Sequence, residues 1–336
     1  MIIGRSPLRI SFSGGGTDLE EYHSKHKGYS ISATINKFTY VIARTRKDNR
    51  FQGFSPDFAS HLSPQNYNKL KTLQGHEIIL SCLKEMKFKK GIDMFFCSDV
   101  SPGSGLGASS ALTVNMVNVI LHLQNKTWSK NAIASKAYRI GHDILKWGIG
   151  KQDEYSSVFA GINFFKYFKK KVSIEPIILR KSTMQELQNN SLLLYLGDRK
   201  TSSDILNTQL GNIKKENPTT MRALENVKDL TLEMQNALKH NDLVRFSNII
   251  KKGWEEKKKF ARGISNKRID DICNKAYACG ANALKVTGAG GGGHLFVYAE
   301  KSKHSHIINE LKKLNVENVE FRYQTTGTTV MELENL

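Results

Sequence analysis

Hydrophobic and β-branched positions along this 336-residue chain fall into short segments, separated by polar or glycine-rich stretches. Their spacing predicts strands and helices in alternation. In the first part of the chain the predicted elements are strands at 2–12, 29–45 (a long strand or one arm of a hairpin) and 91–100, helices at 76–88, 108–124 and 130–147, and a pair of strands around 161–180.

The segment 181–190 is polar, and we take it as the boundary between two domains. Beyond it the predicted elements are strands at 192–197, 282–288 and 294–300, helices within 217–258 and at 266–279 and 303–314, and strands near 317–323 and 327–333. Mixed strands and helices in two halves predict an α+β fold, with one domain at 1–182 and a second at 190–336.

Basic residues outnumber acidic ones, 50 to 31, which gives a formal charge of +19. The basic runs at 44–47, 169–171 and 257–259 are short and far apart, and there is no basic tail. Solvated lysine faces, or a mild field that collects small anions, therefore explain the surplus better than nucleic acid does. A nucleic-acid-binding module stays a less favoured alternative, and we expect small-molecule partners.

No run approaches 18 apolar residues, which excludes a membrane span, and the first residues lack the features of a secretory signal. We therefore expect a cytoplasmic protein, a monomer or homodimer, that binds neither nucleic acid nor a membrane. Its four cysteines form no C-x-x-C pair, which predicts free thiols rather than a disulfide framework or a zinc site.

The segment Pro102-Gly103-Ser104-Gly105-Leu106-Gly107-Ala108-Ser109-Ser110 lies between a predicted strand and a predicted helix. Small residues let backbone N–H groups converge on an anion, and the helix N-terminus adds unpaired donors and partial positive charge. Neither a Walker A loop nor a dinucleotide fingerprint fits the spacing. A triphosphate-binding loop is the favoured interpretation; a tight strand–helix turn with an N-cap serine is the alternative.

Two further glycine-rich loops stand at Gly14-Gly15-Gly16-Thr17-Asp18 and at Gly288–Gly293. Each could be a simple hairpin connection, although six small residues exceed what a hairpin needs. The ionised carboxylate of Asp18 would accept hydrogen bonds from a polyol. Asp153, within GKQDEY, is either a helix-capping residue or a base that accepts a hydroxyl proton during phosphoryl transfer.

Taken together and in this order, the three loops resemble those of the GHMP small-molecule kinases. Within that superfamily, the segments RSPLRISFSGGGTDL at 5–19, GKQDEY at 150–155 and GDRKTSSDIL at 197–206 are similar to those of the D-glycero-D-manno-heptose 7-phosphate kinases. The resemblance implies a ribosomal-protein-S5-like N-terminal domain that binds ATP, a ferredoxin-like C-terminal domain, and an active site between them.

The resemblance also implies roles for single residues. Asp153 would be the catalytic base, Arg9 the cation at the γ-phosphate, and Asp18 the ligand of the sugar hydroxyls. Residues 102–110 would bind ATP. Other expected substrate contacts are Gly15, Gly16, Thr17, Gly290 and Gly291, with Arg199 first and Lys151 and Lys200 next as cations for a sugar phosphate.

Magnesium is expected with ATP, held by Ser110. Many relatives carry a metal-binding glutamate twelve residues before the base, where this chain has Gly141, and Asp143 is the substitute we expect. The implied reaction is phosphorylation of the anomeric C1 hydroxyl of D-glycero-D-manno-heptose 7-phosphate to the 1,7-bisphosphate. A C1 kinase for another sugar, such as a fucose-like hexose, is the alternative.

Overall fold

Two β-sheets organise the computed structural model of the chain, which describes residues 1–69, 75–197 and 202–333. The strands of the described residues are β1 Ile2–Ser13, β2 Gly28–Thr45, β3 Arg50–Ser55, β4 Ser60–Asn66, β5 Ile92–Ser98, β6 Ile162–Phe168, β7 Lys171–Pro176, β8 Ser191–Tyr195, β9 Ala283–Val286, β10 His294–Tyr298, β11 Glu317–Asn318 and β12 Thr329–Glu332.

Helices pack against both sheets. Within the described residues they are α1 Glu20–His23, α2 Glu77–Glu85, α3 Ala108–Leu123, α4 Lys130–Arg139, α5 Gln152–Phe159, α6 Lys181–Asn189, α7 Ser202–Lys214, α8 Pro218–Lys239, α9 Leu243–Lys257, α10 Lys267–Ala278 and α11 His304–Lys312. None of these helices is long and apolar enough to cross a membrane.

The first sheet has eight strands, in the order β12-β1-β2-β5-β3-β4, with β6 on the other half of β2 and β7 beyond it. The second sheet has the order β11-β8-β10-β9. All strand pairs are antiparallel except β3 with β5. Since β2 has 18 residues, its N-terminal half can pair with β6 and its C-terminal half with β5.

One hydrophobic cluster joins the two halves of the molecule. Phe12 of β1 packs edge-on against Phe246 of α9, with ring centroids 5.1 Å apart, and lies 5.6 Å from Phe296 of β10. All three rings are buried, and aromatic pairs of this kind contribute about 0.5–1.5 kcal/mol beyond the burial of their area. The packing fixes the end of β1 against the C-terminal half, directly before the first glycine loop.

Most predicted elements are present, with some differences. The polar segment at 181–190 forms the helix α6, whose Thr183 and Leu187 are buried. The pattern missed the hairpin β3–β4 and the helices α1, α5 and α7. The helix predicted at 130–147 ends at Arg139, and a single π-helical turn, Ile140–Ile144, follows it. The last strand, β12, pairs with β1 and therefore lies in the sheet of the N-terminal half. The boundary between 182 and 190 itself stays a prediction.

Candidate active site

A cleft of about 130 Å³ opens between β1, the start of α5 and helices of the C-terminal half. The first glycine loop forms one wall, and the third loop reaches the cleft with Gly288 and Ala289. The charged residues that line it are Arg9, Asp18, Asp153, Lys257 and Lys285. The cleft thus brings together residues that are far apart in the sequence.

Arg9 and Asp153 form a bidentate ion pair at the base of this cleft. The Arg9 Nε and Nη2 atoms donate to the two carboxylate oxygens of Asp153 at 2.7 and 2.6 Å, and Nη1 donates to the Gly105 carbonyl at 2.8 Å. Arg9 is buried, whereas the Asp153 side chain keeps 24% of its exposure. Two parallel charge-assisted bonds fix the plane of the carboxylate and leave it accessible from the cleft.

The loop at residues 102–110 turns directly over this ion pair. Gly103, Gly105 and Gly107 all have positive φ values, 77°, 80° and 81°. Two features of Gly107 disfavour a side chain there. Its φ is positive, and a Cβ atom would lie 3.2 Å from the Asp153 Oδ2 atom. Gly107 is the N-cap of α3 and caps it with no side-chain hydrogen bond, so donors of the first helical turn remain available to an anion.

The other residues predicted in this loop divide into two groups. Pro102, Ala108 and Ser109 are exposed or half-buried, whereas Ser104 and Leu106 are buried and anchor the loop. The Leu106 carbonyl accepts the Arg9 backbone N–H at 3.0 Å, and the Ser104 carbonyl accepts the His294 backbone N–H at 3.1 Å. The loop is therefore held by both halves of the molecule and presents backbone donors on its open side.

Ser110 and Asp143, the two expected metal ligands, do not come together. The Ser110 Oγ atom is buried and donates to the Glu154 Oε1 atom at 2.8 Å. Asp143 is half-exposed; its carboxylate pairs with the neighbouring His142 at 2.8 Å and lies 3.6 Å from Arg139. The structure gives no support to Asp143 as a metal ligand, because its carboxylate is half-exposed and paired with these two residues.

Glu154 is the carboxylate that the sequence analysis missed. It is fully buried, and its Oε2 atom has no hydrogen-bond partner among the described residues. Burial and the negative charge of Asp153 raise its pKa to about 8, so a cation would favour its ionised form. Magnesium is usually bound by one or two carboxylates together with substrate phosphates. Glu154 and Ser110 fit that requirement, and no group of three or more His, Cys, Asp or Glu side chains in the described ranges could hold a metal alone.

The first glycine loop orients Asp18 toward the cleft. The Gly16 N–H donates to its Oδ1 atom at 2.9 Å and the Gln152 N–H to its Oδ2 atom at 3.1 Å. Burial and the charge of Asp153 raise the Asp18 pKa, against these two hydrogen bonds. Gly15 and Gly16, two of the expected substrate contacts, line the cleft. Thr17 does not: its hydroxyl is buried within hydrogen-bond distance of the Gly14 and Tyr29 carbonyls, so it supports the loop from behind.

Three other expected substrate contacts also lie elsewhere. The Lys151 ammonium is turned away from the cleft, onto the Lys169 carbonyl at 3.2 Å and the face of the Tyr138 ring at 5.2 Å. Gly290 and Gly291 pack on Ile264, whose carbonyl accepts the Gly291 N–H at 2.9 Å, so the third loop reaches the cleft two residues earlier. Arg199 and Lys200 lie outside the described residues.

Two lysines that the sequence did not single out as site residues line the cleft. Lys285 of β9 is buried and donates to the Phe12 carbonyl at 3.0 Å, and Lys257 at the end of α9 donates to the Val286 and Gly288 carbonyls. The sequence contained a clue to Lys285, because this lysine interrupts the apolar strand ALKV, in which every position is buried. Lys257 belongs to the run of lysines at 257–259, and nothing in the sequence distinguishes it from its neighbours.

Two family models match the two halves of the chain. The model of the GHMP kinases N terminal domain matches residues 76–161, which contain the phosphate-loop candidate and Asp153. The model described as GHMP kinases C terminal matches residues 234–317, which contain Lys257, Lys285 and the third glycine loop. Together they cover about half of the chain. The chain belongs to the GHMP kinases.

Individual relatives agree with this assignment. The GHMP kinase is 28% identical to the D-glycero-alpha-D-manno-heptose 7-phosphate kinase of Campylobacter jejuni, over 92% of both chains. Its fold matches a crystal structure of a D-glycero-D-manno-heptose 1-phosphate kinase from Bacteroides thetaiotaomicron with a TM-score of 0.82, at 22% identity and over 100% of both chains. It also matches the Lactococcus lactis galactokinase complexed with galactose, with a TM-score of 0.80, at 16% identity, over 98% of this chain and 95% of the other.

The family assignment confirms the predicted two-domain α+β fold and the predicted class of activity. GHMP kinases use ATP as the phosphoryl donor, so the GHMP kinase described here is a phosphotransferase of the sugar-kinase type. The position of residues 102–110 at the N-terminus of α3, over the Arg9–Asp153 pair, is compatible with that donor.

Proposed function

We propose that the chain transfers the γ-phosphoryl group of ATP to the C1 hydroxyl of D-glycero-D-manno-heptose 7-phosphate. The product would be the 1,7-bisphosphate, an intermediate toward nucleotide-activated heptose for surface polysaccharide. The observation that supports this most directly is the ion pair of Arg9 with Asp153, which lies under the phosphate-loop candidate and beside Asp18. The heptose 7-phosphate kinase of Campylobacter jejuni, similar over most of its length, supports the choice of acceptor.

Asp153 is placed to act as the base. Its carboxylate faces the cleft, and it would accept the C1 hydroxyl proton while the hydroxyl oxygen bonds to the γ-phosphorus and the bond to the β–γ bridging oxygen breaks. Arg9 holds the carboxylate in place, and its guanidinium would compensate negative charge on the transferring group. Most of the barrier reduction would come from this positioning and charge compensation.

Asp18 would orient the acceptor. Because two backbone N–H groups fix its carboxylate, its remaining lone pairs point in defined directions and can accept hydrogen bonds from sugar hydroxyls. Backbone donors of residues 103–109 would hold the triphosphate. Magnesium, with Glu154 and Ser110 as the residues to hold it, would supply positive charge to the β- and γ-phosphate oxygens.

The test is an acceptor panel. The purified protein is incubated with Mg·ATP and sugar 7-, 6- and 1-phosphates, free heptose and fucose, and ADP formation is measured for each. We expect heptose 7-phosphate to have the highest kcat/KM. A phosphorus NMR spectrum of the product should then show a new anomeric phosphomonoester beside the original one.

Two results would contradict the proposal in different ways. ADP formation with fucose or free heptose at a higher kcat/KM than with any sugar phosphate would favour the alternative, a C1 kinase for another sugar. A second phosphate at a hydroxyl other than C1 would keep the acceptor and change the position of transfer. The Asp153→Asn variant, run in parallel, separates transfer by this site from that by a contaminating kinase.

A further inference from the structure

The described charges that line the cleft do not balance. Two carboxylates, Asp18 and Asp153, face three cations, Arg9, Lys257 and Lys285. The charge of Arg9 is paired with Asp153, and its Nη1 atom donates to the Gly105 carbonyl. Asp18 is held by backbone N–H groups rather than by a lysine. Lys285 pairs with no carboxylate among the described residues, and an anionic ligand would balance its charge.

Lys285 is the cation with the strongest need for such a ligand. It is 6% exposed, and within the described residues its ammonium donates to one backbone carbonyl, that of Phe12, and pairs with no carboxylate. Two of its three N–H donors therefore remain for another acceptor. Burial and the positive charge of Arg9 lower its pKa to about 7. A buried charge without a counterion is costly, and a bound anion would remove that cost.

The position of Lys285 indicates which anion this is. Its ammonium lies at the end of β1, next to the first glycine loop and the third, both of which line the cleft. The phosphate-loop candidate at 102–110 contributes no lining residue among those described for this cleft. Lys285 is therefore on the acceptor side of Arg9 rather than on the nucleotide side.

We propose that Lys285 binds the phosphate group of the acceptor sugar and so makes the enzyme selective for a phosphorylated sugar over a neutral one. This rests on the proposed function, since it assumes an acceptor that enters this cleft. Lys285 is a specificity-determining residue in this scheme: its ammonium donates to phosphate oxygens and takes part in no bond-making step.

The experiment compares Lys285→Met with the wild type on heptose 7-phosphate and on free heptose. Loss of a charged, buried hydrogen bond should raise KM for the sugar phosphate on the order of 10²-fold. The KM for ATP and the kcat/KM for free heptose should change by less than about 3-fold. Calorimetric titration of heptose 7-phosphate, without nucleotide, should show the same weakening as a direct binding readout.

Three further variants keep the result interpretable. Lys259→Met removes a charge of the same kind from an exposed lysine paired with Glu256, so it reports any general effect of net charge and should leave every KM unchanged. Lys285→Arg keeps a cation and should recover part of the sugar-phosphate affinity. Lys285→Gln removes the charge but keeps a donor for the Phe12 carbonyl. If Lys285→Met is too unstable to assay, the same KM and binding measurements on Lys285→Gln test the role of the charge.

The outcomes distinguish this inference from the proposed function. A wild-type enzyme that prefers neutral sugars contradicts both. A wild type selective for heptose 7-phosphate, with Lys285→Met and Lys285→Gln unchanged in KM for it, overturns the role of Lys285 alone. An increase in KM for ATP, or equal losses on phosphorylated and free heptose, would also overturn it, because the lysine would then serve the nucleotide or only the shape of the cleft.

Discussion

At the scale of single residues, the ion pair between Arg9 and Asp153 accounts for both the placement and the exposure of the candidate base. Asp153→Asn keeps the size of the side chain and one hydrogen-bond acceptor for Arg9, but removes the proton acceptor. We expect kcat to fall on the order of 10²–10⁴-fold, with little change in KM for ATP. Steady-state kinetics on heptose 7-phosphate measure this.

The matched control is Asp143→Asn, which removes a half-exposed carboxylate of the same type from the turn after α4. It should keep wild-type kcat and the same dependence on magnesium, since Asp143 lies apart from Ser110 and Glu154. Wild-type turnover in Asp153→Asn would show that Asp153 is not the catalytic base. A loss of magnesium dependence in Asp143→Asn would restore the role that the sequence suggested for it.

A second residue-scale prediction concerns acid stability. His23 is buried, stacks on Tyr167, and neither ring nitrogen has a hydrogen-bond partner among the described residues. Burial and the charge of Lys151 lower its pKa to about 4. Between the unfolded value, about 6.5, and 4, the unfolded chain binds more protons, so folding stability falls as pH falls through this window.

The variant His23→Phe has a ring of similar size without this titration. Relative to the wild type, its free energy of unfolding should improve by roughly 1–2 kcal/mol between pH 7 and pH 5. Thermal or urea unfolding at the two pH values gives the difference. A constant difference between the variants at both pH values would show that His23 protonates in the folded state with a pKa close to its unfolded value.

At the scale of elements, the pattern of apolar positions was sufficient for β1, β2 and α3, because their buried residues recur with a clear period. It failed for β3, whose buried positions are Phe51, Gly53 and Ser55, and for β4, where Leu62 alone is buried, because glycine and serine at buried positions give no hydrophobic alternation. At the site, the glycine loops were recognisable from composition. Glu154 was not, since its importance comes from burial against other elements, which no local pattern records. Lys285 did carry a signal, because it interrupts an apolar strand, but the pattern does not show which cleft its ammonium reaches.

Gly150 provides an element-scale test of how α5 positions the acceptor residue. A Cβ atom on Gly150, two residues before α5, would lie 2.0 Å from the Asp18 Oδ2 atom. Gly150→Ala should therefore displace Asp18 and reduce kcat/KM for the sugar on the order of 10²-fold, since a shift of about 1 Å in a positioning group can cost this much. The KM for ATP should stay within about 3-fold.

Gly211→Ala is the control, because it makes the same glycine-to-alanine substitution away from the site. Gly211 lies within α7 and has no positive φ, and a Cβ atom added to it would meet no described atom within 4 Å. Alanine there should be neutral or stabilise the protein by up to about 1 kcal/mol through helix propensity. Equal kinetic losses in both variants would mean that Gly150→Ala acts through global stability rather than through Asp18.

At the scale of the whole molecule, His294 connects the second sheet to the phosphate-loop candidate at 102–110. The first residue of β10, His294, donates to the Ser104 carbonyl with its backbone N–H at 3.1 Å and with its Nδ1 atom at 2.8 Å. The loop that belongs to the N-terminal half is thus anchored on the C-terminal sheet. Family models of the two halves match separately, yet the site needs both.

Loss of the His294 side-chain bond should weaken binding of the nucleotide more than binding of the sugar. His294→Ala keeps the backbone bond and removes the side-chain bond to a buried carbonyl, a change of about 0.5–1.5 kcal/mol, so KM for ATP should rise roughly 3–10-fold. The KM for the sugar phosphate should remain within about 2-fold. His294→Gln can restore a donor and should recover part of the ATP affinity. A selective rise in KM for the sugar would show instead that the two halves communicate through the third glycine loop, and the anchoring role of His294 would be wrong.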